Sequence, residues 1–334
     1  FAAQLLGNYS SLSGVGEFDN TALLKILAGK IAGANLDVRT YYERLEGSAS
    51  PRDLEVLFQL IHQYSTNPRF DSKGLSSFIG RMKPGYQNNL NDPQQVFADS
   101  LESLIYANHY LRRPLRVEHI ENLQLEQLRR IHNDRYADFS DFSFFFLGNF
   151  DEKQLETFAC TYLANLPTAR RKDKIFDAGI RTFKGKQDVR FKKGSNESSI
   201  VSHVTTGDFK VSDDNKVAMN AMIMVLNEKL RENIREERSG VYAIQAWHII
   251  ESNPKPFYTL RIWVSCAPER VDELNTAIFA TIDSIRLGLF DERYVVSSKA
   301  VLEKRFEENI MNNDYWLNNM ENNALSSTPI DGFL

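Results

Sequence analysis

The chain has 334 residues, with 40 Lys and Arg against 44 Asp and Glu and a formal charge of −4. An apolar share of 42%, with 22 Phe and 13 Tyr, is enough to build cores and excludes wholesale disorder. The near balance of charge argues against nucleic acid as a partner, no run of 18 apolar residues is present to span a membrane, and two cysteines cannot make a disulfide scaffold.

The first residue is Phe1, and FAAQLLGNYSSLSG lacks the charged start of a signal peptide. The end, SSTPIDGFL, follows closely on a helical pattern, and both ends suggest a piece of a longer polypeptide. Along the chain, TALLKILAGKI reads as a helix and VRTYYERLEG as strand. Asp53 then opens a series, Leu54, Leu57, Ile61 and Tyr64, with the 3-to-4 spacing of an amphipathic helix. Pro68-Arg69-Phe70-Asp71 starts a further helix. Residues 142–147, FSFFFL, predict a buried strand, and Asp151 starts a helix that ends before Pro167.

A basic, turn-rich stretch follows, and 169–188 reads as a solvated linker. Beyond it the order returns. KVAMNAMIMVLNEKLRENIREE is helical, and YAIQAWHIIES and FYTLRIWVSCA are strands. Asp272 opens Leu274, Ile278, Ile282 and Ile285, and Gly288-Leu289-Phe290-Asp291 leads into a long helix. Helix, strands, helix, Phe-Asp, helix occurs twice, so two similar α+β domains are expected at 1–168 and 189–334.

Most signatures of chemistry are missing. The histidines are His62, His109, His119, His132, His203 and His248, and no two lie at a zinc-ligand spacing on one helix face. Glu118-His119 with Glu121 lacks a second histidine one turn away. There is no G-x-S-x-G elbow or Walker sequence, and Gly14-Val15-Gly16 is too short for a dinucleotide loop.

One segment is more specific. In LNEKLRENIREERSGVYAIQAW a helix runs through Arg235, Ser239-Gly240 breaks it, and a strand begins at Val241-Tyr242. A tight helix–Gly–strand corner can bring Arg235 and Tyr242 to one sheet edge. A guanidinium and a phenol there make a donor pair suited to a carbonyl oxygen that gains charge. Alternation along the strand puts Tyr242, Ile244, Ala246 and His248 on one face, with Trp247 packing inward. The plain alternatives are an Arg complementing a helix dipole and a Tyr packed on a core.

At these residues the chain resembles the insulinase–pitrilysin family of zinc metallopeptidases, specifically its C-terminal, zinc-free half. The resemblance extends to PRFD at 68–71, FFFLGNFDEKQLETFACTYLANLP, KKGSNESSIVSH and GLFDERYVVSSKAVLEKRF. It implies an α+β fold of two tandem homologous domains, each a mainly antiparallel sheet with helices on one face, as in mitochondrial processing peptidase. It also implies that Tyr242 and Arg235 are catalytic, with Tyr242 donating to the oxyanion and Arg235 holding a substrate carbonyl or fixing Tyr242. His248 and Phe257 are candidates for binding peptide. No metal site is expected in this chain; zinc would belong to a partner half, N-terminal on the same polypeptide or a separate subunit, and the resemblance favours the periplasm. The stretch from Phe1 to Asp19 stands where a metal-bearing copy would have its zinc helix, yet it holds no histidine. The contrasting readings are a non-catalytic structural or assembly subunit of the same fold and a free-standing peptide-binding module.

Overall fold

A computed structural model of the chain describes residues 1–171, 173–195, 197–236 and 241–326, apart from the side chains of residues 235 and 236. The chain divides into two compact units between Arg181 and Thr182, within the stretch read as a linker.

The first unit opens with helix α1 (Ala2–Ser13), a short antiparallel ribbon β1 (Gly14–Val15) and β2 (Phe18–Asp19), and helix α2 (Asn20–Ile26). Strands β3 (Ala32–Val38) and β4 (Glu43–Ala49) form an antiparallel hairpin in the register Ala32↔Ala49 to Val38↔Glu43. The Arg39 N–H donates to the Tyr42 carbonyl across its turn, so VRTYYERLEG is a turn and the start of a strand rather than one strand. The missed strand, AGANLDV, has few β-formers; burial of Leu36 and Val38, not propensity, makes it a strand.

Helices α3 (Leu54–Thr66), α4 (Ser72–Asn89), α5 (Pro93–Ile105), α6 (Val117–Glu121), α7 (Leu125–Arg135) and α8 (Glu152–Phe158) complete the unit, α8 continuing as a π-helical turn, Ala159–Leu163. The start signals work as written: Asp71 accepts from the Gly74 N–H at 2.8 Å to cap α4, and Asp151 from Gln154 at 2.8 Å to cap α8. Leu54, Leu57, Ile61 and Tyr64 are all buried, as their spacing demands.

The helix seated on the hairpin is α1, however, not the TALLKILAGKI stretch. Leu5, Leu6 and Tyr9 are fully buried against Leu36 and Val38, whereas α2 leaves Leu24 and Ile26 exposed. Gly7 permits this seat: a Cβ there would lie 2.3 Å from the Leu36 carbonyl oxygen.

One further expectation is corrected. Residues 142–147 join no ladder and form no regular element, with Phe142 and Phe144 packed on the α1 core and Phe146 stacked on Phe58 at 5.4 Å. Aromatic burial holds them, without a strand partner. The described residues of 169–181 are mostly exposed, and a few backbone and side-chain contacts tie them to the first unit. Buried Asp138 accepts N–H bonds from Ser140, Ala169 and Arg171, His109 Nε2 meets the Ala178 carbonyl at 3.0 Å, and Ile180 is buried. Burial of Asp138 opposes its ionisation, but these hydrogen bonds outweigh it and hold the carboxyl well below the usual carboxylate range.

The second unit contains β5 (Ser199–Asp208), α9 (Asp213–Leu230) with a π-helical continuation Arg231–Glu236, β6 (Val241–Glu251), β7 (Phe257–Cys266), α10 (Val271–Arg286), α11 (Arg293–Asn309) and α12 (Asn313–Ser326). The sheet has the order β5–β7–β6 and is antiparallel throughout. Ile244, Ala246, Ile262, Val264 and Cys266 on one face meet Ile223, Leu226, Leu230 and Ile234 of α9 and its continuation and Leu274 and Ile278 of α10. Both units are α+β, and each repeats helix, antiparallel hairpin, helix, helix: α1–β3β4–α3–α4, then α9–β6β7–α10–α11.

Gly7→Ala is expected to destabilise the first unit by about 1–3 kcal/mol through overpacking, whereas Gly33→Ala, with nothing within 4 Å of its Cβ, should stay within about 0.5 kcal/mol; urea unfolding of both reads the difference. Because the folded-state carboxyl of Asp138 titrates lower than in the unfolded chain, its contribution is complete above the unfolded value and lost as pH falls through the folded one. Stability should therefore drop below about pH 4, and the urea midpoint of Asp138→Asn should fall less steeply than wild type over that range.

Candidate functional site

The site begins with α9. Leu226, Leu230 and Ile234 recur every fourth residue toward the sheet, and all three are buried. Ile234 lies in the π-helical turn, a rare wide turn closed by i→i+5 bonds. Arg235 therefore follows a fully buried anchor. The Arg235 side chain and the Ser239-Gly240 break lie outside the described residues.

The π turn is held from two neighbouring helices. Tyr294 of α11, 7% exposed, donates its hydroxyl proton to Glu232 Oε2. Arg293 Nη2 donates to the same hydroxyl at 2.9 Å and lies 3.5 Å from Glu232 Oε1. Lys229 Nζ lies 3.9 Å from the Glu232 carboxylate and 5.3 Å from the Tyr294 ring centroid. From α10, the Thr281 hydroxyl accepts from Asn233 at 3.2 Å.

Strand β6 starts with a β-bulge. Val241 pairs with Cys266 and Ala243 with Ser265, so Tyr242 is the extra residue, 61% exposed, on the strand at the end of the sheet order. The bulge breaks the alternation that would have grouped Tyr242 with Ile244 and Ala246: those two pack in the core, and Tyr242 does not. Further along, Asn227 of α9 donates to the Ala246 carbonyl at 2.8 Å and accepts from its N–H at 2.7 Å. A side-chain amide thus stands where a neighbouring strand would pair, which blunts β6 as a template for added peptide.

His248 pairs with Leu260 on the face of Ala246, half-buried, and burial pushes its imidazole below the usual histidine range. Trp247 pairs with Arg261 and so faces away from the α9–α10 core, the reverse of the inward packing expected for it. Phe257 pairs with Glu251 at the far end of the hairpin. At roughly 3.3 Å per residue, His248 is about 20 Å and Phe257 about 30 Å along the sheet from Tyr242. These residues are strung out, not gathered at one centre.

The bulge, the π turn and the Tyr294–Glu232 contact were not legible beforehand. The only hint was that GLFDERYVVSS, which contains Tyr294, is among the segments carrying the family resemblance.

For a metal the residues do not fit. Among the described residues no three His, Cys, Asp or Glu side chains converge. Helix α1, AAQLLGNYSSLS, contains no His, Cys, Asp or Glu. His119, the nearest motif candidate, spends Nδ1 on the Arg116 N–H at 2.8 Å and packs its ring 3.6 Å from that of Phe1.

A sequence model of the family described as "Peptidase M16 inactive domain" matches residues 122–302, more than half of the chain and including both the π turn and Tyr242. The chain belongs to the M16 peptidase family. It is 22% identical over 280 residues to the probable zinc protease PqqL of Haemophilus influenzae, covering 84% of this chain and 30% of that protein. It superposes on the crystal structure of the periplasmic protease PqqL from Escherichia coli with a TM-score of 0.82 and 21% identity, over 96% of this chain and 35% of that one. It also superposes on the first half of the same protease with a TM-score of 0.68 and 13% identity, covering 98% of this chain and 74% of that structure. The chain thus spans about a third of the length of the full PqqL relatives.

Because Tyr242 is mostly exposed, Tyr242→Phe is expected to change unfolding free energy by no more than about 0.5 kcal/mol; thermal and urea unfolding of wild type and variant check this.

Proposed function

We propose that this chain is the C-terminal, zinc-free half of an M16 metalloendopeptidase. It would supply peptide binding, a wall of the reaction chamber and oxyanion stabilisation to a zinc-bearing N-terminal half. Membership of the family's inactive-domain branch supports the division of labour, and the exposed Tyr242 phenol at the head of β6 carries the catalytic part of the reading. Zinc in the partner half supplies Lewis-acid chemistry. This chain's own contribution is to hold donors where charge develops. Tyr242 donates its O–H to the carbonyl oxygen as that oxygen becomes an oxyanion, and Arg235 holds a neighbouring substrate carbonyl or fixes the phenol.

Fixed donors of this kind act without reorganising during the reaction. Those along the rest of the hairpin act on binding. His248 and Phe257, spaced over many strand residues, suit contacts to an extended peptide rather than to one scissile bond. A peptide chamber assembled from two halves also suits a chain in which, among the described residues, no metal-binding cluster is present. The PqqL likeness, to a protein described as a periplasmic protease, supports the periplasm as its compartment.

The test is hydrolysis of unstructured fluorogenic peptides by the assembled parent with zinc. Tyr242→Phe is expected to lower kcat about 10²–10³-fold, and the isolated chain to show no turnover. A parent that is inert with zinc, or a variant as fast as wild type, would identify the chain as a structural relative instead.

A further inference from the structure

The π-helical turn Arg231–Glu236 is the piece of backbone from which Arg235 departs, and only the residues 237–240 separate it from β6. Its position is set by three grips. Ile234 is fully buried in the sheet–helix core, Asn233 is bound to Thr281 on α10, and Glu232 accepts from Tyr294 on α11. The third differs in kind from the other two. Tyr294 is almost wholly buried at its ring yet spends its hydroxyl on a carboxylate, with Arg293 and Lys229 arranged around the same two groups. A charge-assisted hydrogen bond from a rigid aromatic fixes a distance and a direction, which a surface ion pair between long side chains does not. Wide helical turns are costly to hold and cluster at functional positions.

We propose that Tyr294 and Glu232 are positioning residues: they clamp the π turn to α11 and thereby set where Arg235 leaves the helix and where Tyr242 begins the strand. The inference rests on the catalytic reading of Arg235 and Tyr242, and neither Tyr294 nor Glu232 need touch substrate. A displacement near 1 Å in a donor costs on the order of a hundredfold in turnover, so loss of the clamp should reach kcat well before it reaches KM.

The experiment uses the assembled parent with Tyr294→Phe, Glu232→Ala, Glu232→Gln and Tyr242→Phe, and Tyr294→Phe combined with Tyr242→Phe. Tyr294→Phe and Glu232→Ala should each lower kcat about 10- to 100-fold with KM within about threefold. Glu232→Gln keeps an acceptor oxygen for the Tyr294 hydroxyl and should restore most of the rate. In the Tyr242→Phe background, Tyr294→Phe should cost little more, because residues acting through one element are non-additive. A full, multiplicative loss there, or a fall in KM and kcat together with Tm, would overturn the positioning role in favour of a merely structural one. Hydrogen exchange separates this from the functional reading. Amides of 231–236 should exchange at least about tenfold faster in Tyr294→Phe, with β7 protection unchanged. Unchanged exchange overturns the clamp whatever the activity. Faster exchange in a parent whose rate ignores Tyr242 upholds the clamp and removes the catalytic reading.

Discussion

The second unit depends on keeping one row of α9 side chains against one face of a three-stranded sheet. In a regular α-helix every fourth residue overshoots the previous one by about 40°, so a row at spacing four walks off a flat surface within two steps. Leu226, Leu230 and Ile234 have that spacing, and all three are buried. The widening of the helix into a π turn after Leu230 compensates: a turn with more residues undershoots and swings Ile234 back over Ala246, Ile262 and Val264. Core packing therefore selects the irregular turn. Glu232, on the other side of that turn, is left pointing toward α11 and Tyr294.

The same architecture in the first unit is solved with different means. There α1 approaches β3 closely enough that Gly7 is required against the Leu36 carbonyl, and the helix ends regularly, with no wide turn. Its sheet is only a hairpin, and aromatic side chains from 142–150 fill in where strands would otherwise stand. The likeness of the chain to both PqqL as a whole and its first half fits a fold built from repeated units. Fold alone does not carry chemistry. What distinguishes the second unit is the pair of irregularities flanking residues 237–240.

Much of this was legible from periodicity and caps. The buried faces of α3 and α10, the caps at Asp71 and Asp151, and the hairpin β6–β7 follow from residue spacing and start signals. The failures share one cause, tertiary context overriding local pattern. AGANLDV looks like a poor strand but packs its Ala34–Leu36–Val38 face under α1 and α3, and FSFFFL looks like a good one but finds no ladder. The charges of 169–181 are as exposed as they read, but they hide the buried carboxylate, Asp138, that takes the Ala169 and Arg171 N–H groups. At the site, the helix–Gly–strand corner drew attention to Arg235 and Tyr242, and the resemblance gave them roles. The bulge that releases Tyr242 from the core leaves no trace in VYAIQAW, because one inserted residue changes register without changing composition.

Two local irregularities close together invite a functional explanation more strongly than either alone. Packing accounts for the π turn, through Ile234. It does not account for the bulge: pairing Tyr242 in register would have buried a large aromatic that the core could use, worth about 1.5–3 kcal/mol. Instead the phenol is held mostly in solvent at the head of an edge strand, six residues after a turn that is itself gripped by a buried tyrosine. Natural chains depart from locally favoured structure chiefly where function needs a side chain in an otherwise unprofitable place. An inert structural copy would gain by closing the bulge, and the retention of an exposed Tyr242 beside a clamped Arg235 turn is the stronger reason to look for chemistry at this corner than either residue type by itself.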